Sequence, residues 1–502
     1  MLFNSYFFLL LFLPLFLFIF FFFKNKLLIT IFFSLLFYFF NSPNFFVMFF
    51  LLIIINYYFS KFVKDKFIFI SAIIFNLLIL IYFKYSILFE NLFNINLNNN
   101  SLILPLGISF YTFNNIIFLF DCKNKLIKKP KLKHFLFLTS FFPHLIAGPF
   151  IRFSSIIDQV VNKNFLQKNY KNLLIGIIIF ILGLSKKIFL ADESQIYVDN
   201  FFNKVQLGYE PGFITSWIHS SLFLFQLYFD FSSYSDMAIG LGLMCNIKLP
   251  INFDSPLKSK SVIEFWRKWH ITLTKIIYEF IFIPISIRIH KIININNFFI
   301  ITVFEKFFPI IFTFLIVGVW HGGTLNFIIF GLLSGFLIFI NHMWRDYVSS
   351  KYLNNLNNLK IINIVNWLLT FSTIVISFVF FRSENFSDSL KIINGMIGVY
   401  GFGFPRELAD NFDFSFFKIF TTYDKVFGFN ANHNAIDELL LILTCSVIAF
   451  NFKNLNLLSQ NNQVFFDLII RFKKITFLCL VLIFMIVVLN LSNNSSFIYF
   501  NF

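Results

Sequence analysis

The feature that most limits how this chain can fold is a series of apolar runs long enough to cross a bilayer. The first 120 residues hold five of them, at about 1 to 23, 27 to 42, 45 to 59, 67 to 90 and 101 to 120. A helix needs about 20 apolar residues to cross a hydrocarbon core of ~30 Å, so the shorter runs require tilt or a thinned bilayer. With 58% hydrophobic and 13% charged residues, the chain has too little polar surface for a soluble globule. We therefore predict a multi-spanning membrane protein.

Basic residues between the first runs predict the topology. Lysine-bearing loops alternate with two loops, NSPN and NLFNINLNNN, that hold no Lys or Arg. The lysines are Lys24, Lys26, Lys61, Lys64, Lys66, Lys123, Lys125, Lys128, Lys129, Lys131 and Lys133. By the positive-inside rule these loops are cytoplasmic and the N-terminus is external. The same rule and contacts with anionic membrane lipid account for the net charge of +16, so we predict no nucleic-acid partner.

The rest of the chain continues the pattern. Further apolar runs lie at about 172 to 190, 209 to 245, 298 to 320, 323 to 343, 361 to 381, 438 to 450 and 475 to 491. The stretch from His134 to Phe153 is apolar but broken by Pro143, Gly148 and Pro149, which predicts a re-entrant hairpin. We predict an all-α polytopic protein with about eleven spans plus re-entrant helices, and an external C-terminus.

This predicted fold is one integral membrane domain over residues 1–502. It comprises N-terminal spans (1–100), a motif-bearing core (101–345) and C-terminal spans (346–502) with an external loop at about 383–437.

The segment Tyr228–Pro284 is unusually polar for such a chain. Its ionisable side chains include Asp230, Asp236, Asp254, Glu264, Arg267, Lys268 and His270. Charged groups at the bilayer centre cost ~2.5 to 3.5 kcal/mol each, so they are functional candidates by default. Ser261 and Glu264 form a capping-box pattern that predicts a helix start at the cytoplasmic interface or inside the protein. Glu264 and Lys268 are spaced for an ion pair, and Trp266, Trp269 and His270 are spaced to share one helical face.

His321, within Gly-Val-Trp-His-Gly-Gly, is the sharpest catalytic candidate. An imidazole can take and return a proton near neutral pH, which suits it to activate a hydroxyl for attack on an acyl group. The alternative is that His321 and Trp320 form an interfacial anchor for a helix end.

The other candidates also have alternatives. His270 with Trp266 and Trp269 fits a pocket wall or an aromatic belt. Arg267 can contact the phosphates of a cofactor, or it can be one of the basic residues that mark the cytoplasmic side. Asp236 can orient a histidine, bind a cation or form a structural hydrogen bond.

Several enzyme classes lack support in the sequence. No Walker loop, GxGxxG, HExxH or GxSxG motif is present. The four cysteines form no CxxC pair and the other histidines show no ligand spacing, so we predict no metal site.

Several ordered segments carry a family resemblance. They are LPLGISFYTF (104–113), FFPHLIAGPFIRF (141–153), GLSKKIFLAD (183–192), FDFSSYSDMAIGLG (229–242), INFDSP (251–256), EFWRKWHITL (264–273), FIPI (282–285) and GVWHGGTLNFIIFG (318–331). With these, the chain resembles the membrane-bound O-acyltransferase (MBOAT) family, in particular its bacterial alginate O-acetyltransferase-like branch.

This resemblance implies a helical enzyme of the bacterial inner membrane, with core helices around a funnel. His321 and His270 match the family's two histidines. The implied acyl donor is acetyl-CoA from the cytoplasm, and the final acceptor is an envelope polysaccharide, reached through a periplasmic or membrane-anchored acetyltransferase partner.

We therefore predict an O-acetyltransferase for an envelope polysaccharide, either peptidoglycan, an alginate-like polymer or another glycan. His321 and His270 are the predicted catalytic residues, and Trp266, Trp269, Arg267, Asp236 and Trp320 line the path of the substrates. The alternatives are a transporter or flippase for a lipid-linked glycan and a transferase of D-alanine to teichoic acid.

Overall fold

Helices make up nearly all of the regular structure. The computed structural model describes residues 1–93, 104–127, 130–161, 165, 167–292, 302–349, 360–405, 423–424, 434–455, 469, 471–491 and 497–498. The first helices are α1 (Leu13–Phe22), α2 (Lys26–Asn41), α3 (Phe46–Phe62), α4 (Lys66–Phe93), α5 (Ile108–Lys123), α6 (Leu132–Ser140), α7 (Phe142–Leu145), α8 (Phe153–Val161), α9 (Tyr170–Lys186) and α10 (Glu193–Gln206). They are followed by α11 (Phe213–Met244), α12 (Val262–Lys268), α13 (Ile271–Ile277), α14 (Ile283–Ile292), α15 (Phe308–His321), α16 (Leu325–Met343), α17 (Lys360–Arg382), α18 (Phe386–Met396), α19 (Ala435–Asn451) and α20 (Lys473–Leu489).

Shorter elements complete the described structure. Wider π-type turns occur at Phe8–Phe12, Lys187–Asp192, Tyr278–Phe282, Thr302–Phe307 and Trp344–Ser349, and 3-10 turns at Pro43–Phe45 and Pro256–Lys258. Strands β1 (Phe404–Pro405) and β2 (Tyr423–Asp424) pair in parallel.

Six helical stretches in the described part of the chain are long and apolar enough to cross a membrane. They are Pro43–Phe62, Lys66–Ser86, Tyr170–Gln206, Thr302–His321, Leu325–Asp346 and Lys360–Arg382. A seventh arises if the bent pair Val262–Lys268 and Ile271–Ile292 counts as one span. The predicted all-α polytopic membrane class is confirmed.

Other predicted features have different outcomes. The break predicted between His134 and Phe153 is confirmed, since α6 and α7 are short and separate. The count of about eleven spans and the single-domain boundaries stay predictions. A little under half of the predicted external loop 383–437 lies outside the described residues, and α18 falls within its described part.

The chain forms two compact units, made of 1–188, 231–252 and 455–502 in the first, and of 189–230 and 253–454 in the second. In the first unit, Phe142 lies among rings of the N-terminal helices, with centroids 5.2 Å from Phe16 and 5.6 Å from Phe37. Gly176 and Gly240 bring α9 and α11 together, because a Cβ on Gly176 would lie 2.5 Å from the Gly240 carbonyl oxygen. Small residues at such crossings let membrane helices pack closely.

The first unit also contains a buried ion pair. The Lys186 ammonium contacts the Asp236 carboxylate, and the two side chains are 13% and 2% exposed. Lys186 ends α9 and Asp236 lies in the middle of α11, so the pair joins two helices. Gly183 leaves room for this contact, since a Cβ there would be 3.1 Å from the Asp236 Cβ.

The second unit holds α10, the first part of α11, and α12 to α19. His219 Nε2 lies 2.8 Å from the Glu438 carboxylate, and both side chains are buried. The α15–α16 hairpin packs on α17, and the Asn326 amide donates a hydrogen bond to the carbonyl of Ser383, the residue that follows α17, 2.7 Å away. The second of these contacts fixes the α15–α16 hairpin, which carries His321.

Candidate active site

His270 lies at a sharp break between two helices. Helix α12 ends at Lys268, α13 begins at Ile271, and the bent pair turns by 106°. His270 has φ 45° and ψ 52°, the left-handed conformation, which costs a residue with a Cβ roughly 1 to 2 kcal/mol. The side chain is nevertheless 3% exposed. A buried histidine in a strained backbone is a feature that clusters at functional sites.

Local hydrogen bonds and an ion pair stabilise the start of α12. Ser261 Oγ accepts from the Glu264 amide at 3.1 Å, which confirms the predicted helix start. Glu264 accepts from the Lys260 amide at 2.9 Å and pairs with Lys268 at 2.8 Å, as predicted for the ion pair.

The break at His270 is closed by two further contacts. The Asp254 amide donates to the Lys268 carbonyl at 3.0 Å. The Thr274 hydroxyl lies 3.3 Å from the carbonyls of both Trp266 and Trp269. Carbonyls at the end of a helix would otherwise lack partners, so these contacts stabilise the bend.

The prediction that His270 shares a helical face with Trp266 and Trp269 was wrong. Trp269 is already extended, with ψ 127°, and His270 follows in the left-handed region. Spacing places residues on one face only while the helix continues, and no proline or glycine in the sequence marks this break.

Trp269 is held by three neighbouring segments. Its ring centroid lies 5.4 Å from Phe265, 5.2 Å from Phe253 and 5.5 Å from Phe378. Asn454 fixes one of these segments, because its amide donates to the Phe253 carbonyl at 2.6 Å. The residue before His270 therefore has little freedom to move.

His321 ends α15 and lies in an aromatic shell. Its ring centroid is 4.7 Å from Trp320, 4.9 Å from Phe381 and 6.0 Å from Phe330. The imidazole is 9% exposed. Apolar walls of this kind exclude water, which strengthens electrostatic interactions of a bound substrate with the imidazole.

The aromatic shell links His321 to the tryptophans of α12. Phe330 lies 6.2 Å from Trp266, and Phe378 lies 5.3 Å from Phe330 as well as beside Trp269. The structure thus brings His321, Trp320, Trp266 and Trp269 into one continuous cluster within the second unit.

Glycines place His321 at the tip of the α15–α16 hairpin. A Cβ on Gly318 would lie 2.3 Å from the Phe327 carbonyl oxygen, and one on Gly331 would lie 2.4 Å from the Phe314 carbonyl oxygen. A Cβ on Gly322 would meet the Phe327 ring at 2.3 Å. These positions explain the glycines that flank the histidine, because the two helices touch through them.

Gly318→Ala should therefore loosen this hairpin. The added methyl group faces backbone that cannot move independently, and overpacking of this kind costs about 1 to 3 kcal/mol. We expect a lower thermal unfolding midpoint in detergent for the full-length protein. Val319→Ala is the matched control, because Val319 is 40% exposed. Equal midpoints for Gly318→Ala and the wild type would contradict the close packing.

Two predicted path residues lie elsewhere. Arg267 is exposed, whereas its neighbours Phe265, Trp266 and Trp269 are buried on the opposite side of α12. Asp236 belongs to the first unit, where it pairs with Lys186. Their roles on the path of the substrates stay predictions.

The sequence missed the phenylalanines of the shell. Phe327, Phe330, Phe378 and Phe381 surround His321 or connect it to the tryptophans. The chain has 86 phenylalanines, so the presence of phenylalanine at a position does not indicate a functional site. The repeated spacing of three residues on α16 and on α17 is the only sequence clue, and many other pairs share it.

No group of three or more His, Cys, Asp or Glu side chains is placed to hold a metal ion within the described residues. The cluster offers the His321 imidazole and aromatic walls, which suit proton transfer and the binding of an acyl group. The fold is that of a polytopic membrane protein, and the chemistry of this cluster is suited to acyl transfer.

The comparison with known families agrees with this class. The membrane-bound O-acyltransferase (MBOAT) family profile matches residues 45–382. The chain belongs to this family, and it is an O-acyltransferase.

Relatives within the family differ in substrate. The peptidoglycan O-acetyltransferase of Helicobacter pylori is 35% identical over 463 residues, covering 86% of this chain and 82% of that protein. A probable alginate O-acetylase of Pseudomonas syringae is 34% identical over 343 residues, covering 66% of this chain and 60% of that protein. A teichoic acid D-alanyltransferase of Streptococcus thermophilus is 27% identical over 303 residues, covering 56% of this chain and 69% of that protein.

Proposed function

We propose that this enzyme transfers acetyl groups for the O-acetylation of peptidoglycan. The observation that carries the proposal is the extent of similarity to the Helicobacter pylori peptidoglycan O-acetyltransferase, which covers 86% of the chain. The similarity to the alginate O-acetylase covers a smaller share of both proteins. The D-alanyltransferase has a lower identity, which favours acetyl over D-alanyl transfer.

His321 is the proposed general base. Its imidazole accepts the proton of an acceptor hydroxyl, whose oxygen then attacks the acyl carbonyl carbon. The bond from that carbon to the donor sulfur breaks, and the proton passes from the imidazole to the leaving thiolate. The aromatic shell supports this role because it keeps bulk water from competing for the acyl group.

His270 and the tryptophans are proposed to bind and orient the reacting groups. His270 is buried in a left-handed backbone. Trp269 directly precedes it in the chain, and Trp266 lies four residues before it. Trp320 contacts His321 directly and restricts the orientation of its ring. Such positioning contributes to catalysis when reacting atoms are held near their attack geometry.

The lysine-rich loops support a donor that arrives from the cytoplasm. We propose that the enzyme lies in the inner membrane with both termini external. The proposed donor is acetyl-CoA, as the family resemblance implies. The acetyl group then leaves the enzyme on the external side. There a periplasmic or membrane-anchored acetyltransferase, the proposed partner, passes it on to the polymer.

Analysis of the cell envelope tests the function. Sacculi are purified from cells that lack the gene, from restored cells and from cells restored with His321→Ala, and the esters released by alkali are identified. We expect acetate on the peptidoglycan of the restored cells alone. Full acetylation in all three would contradict the proposal. Loss of acetate from another polymer alone would also contradict it, as would released D-alanine.

A further inference from the structure

A cavity of about 610 Å³ lies among the ends of three helices in the second unit, away from the aromatic shell. Helix α12 and the residues before it contribute Lys260, Glu264 and Arg267. The end of α16 contributes Asn341, and Trp344 and Arg345 follow it. The start of α17 contributes a stripe at positions 362, 365, 366 and 369. Positions three and four apart share a helical face, so each segment presents one side to the cavity.

Cations outnumber anions in this cavity. Glu264 is neutralised by Lys268, and Arg345 is paired with Asp346 at 3.0 Å. Lys260 and Arg267 are exposed, and neither forms a salt bridge with any residue that the structure describes. Lys260 also acts on the Glu264 carboxylate through its charge, but Lys260, Arg267, Lys268 and Arg345 still outnumber the carboxylates of Glu264 and Asp346 by two. This excess of positive charge favours an anion.

The remaining wall is apolar and exposed. Val365 is 46% exposed, Leu369 61% and Trp344 51%. All three belong to stretches that qualify as membrane spans, so these side chains face lipid or its interface. Tryptophan is enriched at the level of the head groups, where a cationic rim and an apolar wall meet.

The orientation of α12 separates this cavity from the proposed catalytic cluster. Arg267 points to the exposed side, and Phe265 and Trp269 on the other side are 1% and 6% exposed. An acyl donor with its phosphates at Arg267 would have to pass around the helix to reach the aromatic shell. A membrane lipid meets no such obstacle, because its chains can run along α17.

We propose that the cavity between α12, α16 and α17 binds an anionic phospholipid. The phosphate lies between Lys260 and Arg267, and the upper parts of the acyl chains lie along Val365 and Leu369. Cavities of several hundred Å³ hold ligands of this size. This proposal is independent of the acetyl acceptor and of the catalytic roles of the histidines.

Native mass spectrometry of the full-length protein tests this site. The protein is titrated in detergent with dioleoyl phosphatidylglycerol and, separately, with dioleoyl phosphatidylcholine. We expect tighter binding of phosphatidylglycerol to the wild type. Lys260→Gln with Arg267→Gln should weaken that binding about twenty-fivefold, since each basic residue at a membrane surface contributes a factor of about five. Phosphatidylcholine binding should change little.

Arg288→Gln with Lys291→Gln is the matched control. It removes one arginine and one lysine from α14, both exposed and outside the cavity. This variant should keep the preference for phosphatidylglycerol. An equal loss in both double variants would overturn the proposal, because net charge alone would then explain the binding.

Coenzyme A provides the second arm of the test. The lipid assignment predicts that coenzyme A does not displace phosphatidylglycerol from the wild type and that Lys260→Gln with Arg267→Gln does not weaken coenzyme A binding. If coenzyme A displaces phosphatidylglycerol and the double variant binds coenzyme A more weakly, Lys260 and Arg267 bind the phosphates of the acyl donor. That result would overturn the lipid site. Elution profile and circular dichroism check that each variant is folded.

Discussion

Replacing His321 by alanine should lower acetyl transfer to the envelope polymer by about 10² to 10⁴, the usual contribution of a general base. The imidazole is the ionisable group at the tip of the α15–α16 hairpin, and Trp320 and Phe381 hold its ring at 4.7 and 4.9 Å. Its removal leaves the surrounding glycine contacts intact, so protein levels in the membrane should stay near those of the wild type. Alkali-released acetate per unit of membrane protein is the measurement.

His290→Ala is the matched histidine control. His290 is exposed and pairs with Glu305 at 2.9 Å, outside the aromatic shell. Acetate should stay close to the wild-type amount in this variant. Acetylation that persists at that amount in His321→Ala would exclude the imidazole as the base.

Backbone strain and side-chain chemistry can be separated at His270. Asparagine accepts the left-handed conformation more readily than most residues, so His270→Asn keeps the bend and removes the imidazole. If the imidazole positions substrate, His270→Asn should be folded but deficient in transfer. If it has only a structural role, His270→Asn should be active.

Removing the charge of Asp236 should destabilise the first unit by about 3 to 5 kcal/mol, the usual penalty for leaving one buried partner of an ion pair alone. In Asp236→Asn the Lys186 ammonium keeps its charge in a site where it is 13% exposed. Lys186→Met should also lower the stability of the first unit, because it leaves the Asp236 carboxylate, which is 2% exposed, without its cationic partner.

The double variant Lys186→Met with Asp236→Asn separates charge from packing. It leaves no unpaired charge, so most of the lost stability should return, and the effects of the two changes should not add. Thermal unfolding of the purified full-length variants gives the comparison. Lys268→Met is the control, because its half-exposed pair with Glu264 should cost ~0.5 kcal/mol or less to remove. If the loss of stability in the double variant equals the sum of the losses in the two single variants, the ion pair does not stabilise the protein.

Local sequence rules predicted much of the fold. Apolar runs located the long helices α3, α4, α16 and α17 because each crosses the membrane largely by its own hydrophobicity. The cap at Ser261 and the ion pair at Lys268 were also predictable, since both depend on residues three or four positions apart.

Contacts between distant segments were not predictable. The bend at His270 is stabilised by Asp254 and Thr274. Asp254 lies 14 residues before Lys268, the last residue of α12, whose carbonyl accepts its hydrogen bond. Lys186 and Asp236 are 50 residues apart, and no local spacing rule joins residues at that separation. The phenylalanines around His321 could not be told from those that face lipid, because both environments favour the same side chain.

Vectorial transfer in sealed vesicles tests the central claim most directly. Inverted membrane vesicles, which expose the cytoplasmic face, receive acetyl-CoA labelled in its acetyl group, and alkali-labile label is measured on the enclosed glycan. We predict labelled ester in wild-type vesicles and none above background in vesicles with an equal amount of His321→Ala protein. Equal labelling in both, or glycan movement across the vesicle membrane that depends on the protein without any ester, would contradict the account.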